Sequence, residues 1–138
     1  MNEIILIASI LFLNPVLSHA EALKSLSGEI RLSKAIETEI KEGGALFIFA
    51  KKKSDADIKG VPPLAVLRIP NPKFPVFFSL SQENAMMAGT PFEGPFVVTA
   101  RYSPSGDALD KTGPEGRSAS KKILQLGAKN IVITLKKK

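Results

Sequence analysis

Met86 and Met87 stand side by side in the run QENAMMAGTPF, and they are the least ordinary pair of side chains in the chain. Two thioethers could offer soft donors to Cu(I), but adjacent residues of an extended chain point to opposite faces, so they do not converge on one ion. Methionine is flexible and polarisable, and is better suited to gripping an apolar partner. The other groups with chemical potential are carboxylates. Asp55 and Asp57 share one polar stretch and Asp107 and Asp110 another. No hydrolase pattern surrounds either pair, and loop aspartates ordinarily bond nearby backbone N–H groups to shape turns.

The rest of the inventory removes whole classes of mechanism. The chain has no cysteine and one histidine, His19. That excludes Cys–His catalysis, a disulfide framework and thiolate metal sites, and leaves no imidazole in the body of the chain for a serine triad or a copper centre. Gly113-Pro114-Glu115-Gly116 lacks the lysine and the strand-to-helix setting of a phosphate loop. No cofactor is expected and no catalytic residue is assigned. The sequence predicts a protein that is not an enzyme.

The formal charge is +6, from 19 Lys and Arg against 13 Asp and Glu. Much of it comes from Lys51-Lys52-Lys53, Lys121-Lys122 and Lys136-Lys137-Lys138. Runs this short ordinarily form a solvated face that blunts strand edges. They would also permit peripheral contact with an anionic membrane or an acidic partner. With a single tyrosine and no interleaving of aromatic and basic residues, nucleic acid is not an expected ligand.

The N-terminus sets the expected compartment. Ile4 to Leu13 is an apolar run of ten residues, followed by Asn14-Pro15 and small residues at Ser18 and Ala20. This has the length and the end of a signal peptide, and falls short of the roughly 20 apolar residues of a spanning helix. Residues 1–20 are therefore expected to be a signal peptide directing export to the periplasm, with an uncleaved anchor as the alternative. Its loss would remove Glu3 and no Lys or Arg, raising the charge by one to +7.

Residues 21–138 are expected to form one domain, large enough for a single core. Leu26 to Ser33 alternates apolar and polar residues, as a half-buried strand does. Lys34 to Lys41 is a connector with at most a short helical turn, because Gly43-Gly44 stops anything longer. Ala45 to Lys52 (ALFIFAKK) is apolar on both faces, which predicts a central strand. Leu64–Ile69, Phe74–Leu80 and Phe96–Tyr102 follow, Pro75 implying that the second of these begins there or lies at an edge. Ser103 to Ser120 reads as one long polar loop, functional or mobile. Ile123–Leu126 and Asn130–Leu135 close the chain. Some seven short strands without a helical period predict an all-β, Ig-like or cupredoxin-like β-sandwich with no metal site. Phe47, Phe49, Phe77, Phe78 and Phe96 are assigned to its core, and Arg68 and Arg101 to heads extending from a sheet face.

Four stretches carry a family resemblance: ALFIFAKK, PPLAVLRIP, FPVFFSLSQENAMMAG and VVTARYSPSGDA. In that succession residues 43–133 resemble the C-terminal periplasmic domain of CcmI/CycH-type proteins of c-type cytochrome biogenesis. The specific parts are the Met-Met-x-Gly turn at Met86–Gly89 and the Ala-Arg-x-Ser-x-Ser-Gly run at Ala100–Gly106, here with tyrosine and proline at the variable positions. The resemblance implies a metal-free sandwich outside the cytoplasmic membrane, working with apocytochrome c or the haem-attachment machinery. It carries no catalytic residues over. The expected role is a non-enzymatic assembly or binding module, with Pro62, Pro63, Met86, Met87, Pro91 and Phe92 as the candidate partner contacts, by apolar docking or strand addition. The alternative is a periplasmic carrier or adhesion-type sandwich that binds a small ligand or envelope surface through its basic face.

Overall fold

The computed structural model describes residues 24–119 and 122–138; the expected signal peptide at 1–20 lies outside them. Seven strands run β1 Leu26–Leu32, β2 Ala45–Lys52, β3 Ala65–Pro70, β4 Val76–Leu80, β5 Phe96–Ser103, β6 Glu115–Arg117 and β7 Ile131–Leu135. They form a three-stranded sheet in the order β4-β1-β7 and a four-stranded sheet in the order β3-β2-β5-β6. All pairs are antiparallel except β1 with β7. The expected all-β sandwich is what the chain builds. The only helical segments among the described residues are short 3₁₀ turns, the longest spanning Lys34–Glu39. None is long and apolar enough to cross a membrane.

Alternation along each strand decides which side chains meet in the middle. Leu26 and Ile30 of β1, Phe78 and Leu80 of β4, and Ile131, Ile133 and Leu135 of β7 face inward from the smaller sheet. Leu46, Ile48, Val98, Ala100 and Tyr102 face them from the larger one. Each large aliphatic or aromatic side chain so buried contributes about 1.5–3 kcal/mol. β1 pairs Gly28 with Ile131 of β7, and a Cβ at Gly28 would lie 1.9 Å from the Ile131 carbonyl oxygen. Only glycine allows that approach. As its two-sided apolar pattern predicts, β2 lies in the sheet interior, between β3 and β5.

Three expectations are corrected. Phe77 is 75% exposed, because β4 starts at Val76 and turns Val76, Phe78 and Leu80 inward, leaving Phe77 on the opposite face. Ile123–Leu126 is not a strand: Leu124 makes a single bridge to Phe96, and Ile123 and Leu126 are exposed. The sixth strand is instead Glu115–Arg117, inside the stretch expected to be one long loop. It pairs with β5, and Glu115 exchanges two 3.1 Å backbone hydrogen bonds with Lys136 just past β7, tying the two sheets along that side.

Candidate functional site

The outer face of the four-stranded sheet is built by the residues that alternate with the core set. Phe47 is paired on one side with Arg68 of β3 and on the other with Arg101 of β5. The Arg68 guanidinium lies 5.8 Å from the Phe47 ring centroid, and that of Arg101 lies 5.6 Å from the Phe49 centroid. Both are within cation–π range. From there each arginine reaches the 104–114 connection: Arg101 Nη2 donates to the Ala108 carbonyl at 2.7 Å and Arg68 Nη2 to that of Gly106 at 3.3 Å. Arg101 Nε is buried and makes no hydrogen bond.

That connection shapes itself through the aspartates. Asp107 accepts from the Leu109 amide at 2.9 Å. Asp110 accepts from the Thr112 hydroxyl at 2.6 Å, the Thr112 amide at 3.0 Å and the Ser105 hydroxyl at 2.8 Å. These bonds, those of Thr112 first, hold the Asp110 carboxyl well below the usual carboxylate range. Turn chemistry accounts for this pair, as expected. Asp57 does something else: its carboxylate pairs with Arg117 of β6 at 2.9 Å.

The 81–92 connection arrives at the opposite edge of the same sheet. Ser81 starts it with an amide bonded to the Asn84 side chain and a hydroxyl accepting from the Glu83 amide. Gln82 then spans the turn, its Nε2 donating to the Thr90 carbonyl at 2.7 Å and its Oε1 accepting from the Phe92 amide at 2.8 Å. Met86 is set against the edge strand by its amide, which donates to the Leu64 carbonyl at 3.1 Å, next to a bridge between Ala85 and Ala65. The chain's own Ala85-Met86 thus occupies the start of the β3 edge, where Pro62-Pro63 had suggested strand addition.

The candidate contacts separate cleanly. Met86 is 54% and Met87 63% exposed, so neither plugs the end of the sandwich. Pro62 and Pro91 are exposed and Pro63 is half-buried. Phe92 is not a surface residue: it is buried, with its ring centroid 4.6 Å from that of Phe96. The Gln82 bridge turns it into the core, which corrects its assignment as a partner contact.

Pro63 and Met86 come together on one depression of about 310 Å³, floored by Phe47, Phe49 and Val66 and walled on the far side by Leu109. Leu109 is 82% exposed. Phe49, Lys51, Arg101 and Lys111 line this depression and also a second one of about 300 Å³, which continues to Arg117 and Lys138. The two make one furrow across the sheet, apolar at the β3 edge and basic at the β6 edge. Lys51 and Lys111 have no carboxylate partner among the described residues. A separate depression of about 300 Å³ on the other sheet, beside Phe77 and Val132, has no cation in its lining.

Of the candidates read from the sequence, Pro63 and Met86 line this depression, together with Phe47, Phe49, Leu109, Lys51 and Lys111, to which the sequence did not point. Arginine in the middle of an apolar strand, at Arg68 and Arg101, was the available signal that this face is partly open. Among the described residues no group of three or more acidic, histidine or cysteine side chains is placed to hold a metal ion.

A search of curated proteins finds no match to the chain. Among solved structures, an alternative pilotin from the type II secretion system of Vibrio cholerae superposes with a TM-score of 0.45. The sequences are 11% identical, over 83% of this chain and 97% of that one. The family model described as the cytochrome c-type biogenesis protein H Ig-like domain matches residues 26–134, nearly the whole of the sandwich. The chain belongs to that family of Ig-like domains of c-type cytochrome biogenesis proteins.

Proposed function

We propose that this chain is a non-enzymatic, exported binding module that serves c-type cytochrome maturation in the periplasm, docking apocytochrome c or a component of the haem-attachment machinery. One observation carries the reading. In a domain whose family takes its name from cytochrome c biogenesis, two adjacent methionines stand exposed, where a folded core would ordinarily have absorbed them, and Met86 lines a half-apolar furrow. Met86 and Pro63 form the adaptable lip of that contact, and the exposed Met87, Pro62 and Pro91 lie in the same two connections. Apolar docking fits better than strand addition at Pro62-Pro63, because Met86 already takes the Leu64 carbonyl.

The test is crosslinking of the tagged chain in envelope extracts, with a Met86/Met87→Ser double variant beside it. Recovery of apocytochromes or haem-attachment proteins, lost in the variant, is the expected result. Recovery of unrelated envelope components, unchanged by the substitutions, would replace this reading with a carrier or adhesion role.

A further inference from the structure

The furrow has a direction, and its direction specifies a ligand. Beside Met86 and Pro63 its floor is Phe47 and Val66. Past Phe49 it is lined by Lys51, Arg101 and Lys111, and then by Arg117 and Lys138. The acidic groups at that end are already engaged: Asp57 pairs with Arg117 at 2.9 Å, and Glu115 lies 3.9 Å from Lys138. Five cations and one carboxylate, Glu115, line that end, and Asp57 adds a second carboxylate only through Arg117, which leaves a net positive field over an apolar floor. Low-dielectric walls focus such a field on whatever enters.

The dimensions suit a peptide. Crossing four strands at about 4.8 Å spacing gives a path of about 14 Å, the length of about four extended residues. Each depression, near 300 Å³, is the size for one or two side chains and sits at the lower bound of small-molecule sites. We propose that the furrow binds an extended segment of a partner protein in which an apolar side chain is followed by acidic ones. The apolar side chain packs on Phe47 and Val66 against Met86, and the carboxylates lie over Lys51, Lys111 and Arg117. This deepens the binding role proposed above and rests on it only for the location of the site.

The experiment uses the full chain and short fluorescein-labelled peptides in which leucine is flanked by aspartates, by asparagines or by lysines. Fluorescence anisotropy is read at low and high salt. The aspartate peptide is expected to bind, weaken with salt, and lose about tenfold or more in affinity in a Lys51→Glu/Lys111→Glu variant. A Lys24→Glu/Lys129→Glu variant, changed outside the furrow, is expected to bind as the wild type does. Thermal unfolding of both variants guards against loss of fold, and peptide-induced amide shifts in the wild type are expected at Phe47, Val66 and Leu109.

Equal binding of the asparagine peptide, or indifference to Lys51→Glu/Lys111→Glu, overturns the proposal. So does binding of phosphatidylglycerol vesicles through those same lysines with none of the aspartate peptide, which would make the furrow a lipid-headgroup surface. If the aspartate peptide binds as expected but envelope crosslinking yields no cytochrome-maturation protein, the maturation role fails and the ligand chemistry stands.

Discussion

The Tyr102 hydroxyl holds both backbone groups of Lys41, accepting from its amide and donating to its carbonyl at 2.9 Å each. Tyr102 is fully buried on β5, whereas Lys41 belongs to the connection between β1 and β2, 61 residues earlier. One side chain therefore fastens the crossover between the two sheets. Tyr102→Phe leaves the Lys41 amide without its partner and the Lys41 carbonyl with only the 3.4 Å bond from the Gly44 amide, and is expected to cost about 1–3 kcal/mol in urea unfolding. Gly44 makes the approach possible, since a Cβ there would lie 2.0 Å from the hydroxyl and 2.5 Å from the ring carbon that bears it. Gly44→Ala is thus expected to destabilise the Tyr102→Phe background too. Rescue in the double variant would show that the hydroxyl alone causes the clash.

Folding and docking separate within a single connection. Phe92 packs on Phe96 in the core, and Phe92→Ala is expected to cost about 3–5 kcal/mol. Met87→Ser, at an exposed position five residues earlier, is expected to stay within about 0.5 kcal/mol of the wild type. Equilibrium unfolding of the two variants checks this. A loss of several kcal/mol in Met87→Ser would mean that the methionine packs inward in solution and is not a free contact.

How far the chain could be read without coordinates depended on how strong each local pattern was. β2 and β5 declare themselves, because apolar residues recur on both faces of ALFIFAKK and on alternate positions of FVVTARY. In FPVFFSL phenylalanine occupies both parities, so alternation alone could not tell Phe77 from Phe78; the start of β4 at Val76 decided it. β6 is three residues, Glu-Gly-Arg, with no apolar signal at all, and exists through its pairing with β5 and Lys136. Phe92 follows a proline in a polar stretch and reads as exposed until Gln82 is seen to bridge the turn. The furrow was least legible, since Pro63, Met86, Phe49, Arg101 and Leu109 come from five separate segments that only pairing and loop closure bring together.

Arg101 is the pin that keeps the 104–114 connection over the sheet. It stacks on Phe49 and bonds the Ala108 carbonyl. Arg101→Met retains much of the apolar stem but removes both interactions, and is expected to cost about 1–2 kcal/mol. Hydrogen exchange of residues 105–112 should accelerate far more than that of β2. Uniform acceleration across the chain would assign Arg101 to global stability instead.

Asp110 should give this connection a pH dependence of definite sign. Its bonds to Thr112 and Ser105 favour the carboxylate, so its pKa is depressed in the folded chain relative to the unfolded one. The unfolded chain then takes up the proton first as pH falls. The stabilisation is fully present above the ordinary carboxylate pKa, and is lost progressively as pH drops below that value toward the depressed one. Asp110→Asn keeps the shape of the side chain but cannot ionise. The Tm difference between wild type and variant is therefore expected to be constant from neutral pH down to about 5 and to shrink below about 4. A difference that widened on acidification would place the charge of Asp110 in an unfavourable environment, and the hydrogen bonds from Thr112 and Ser105 would then not be what orders the loop.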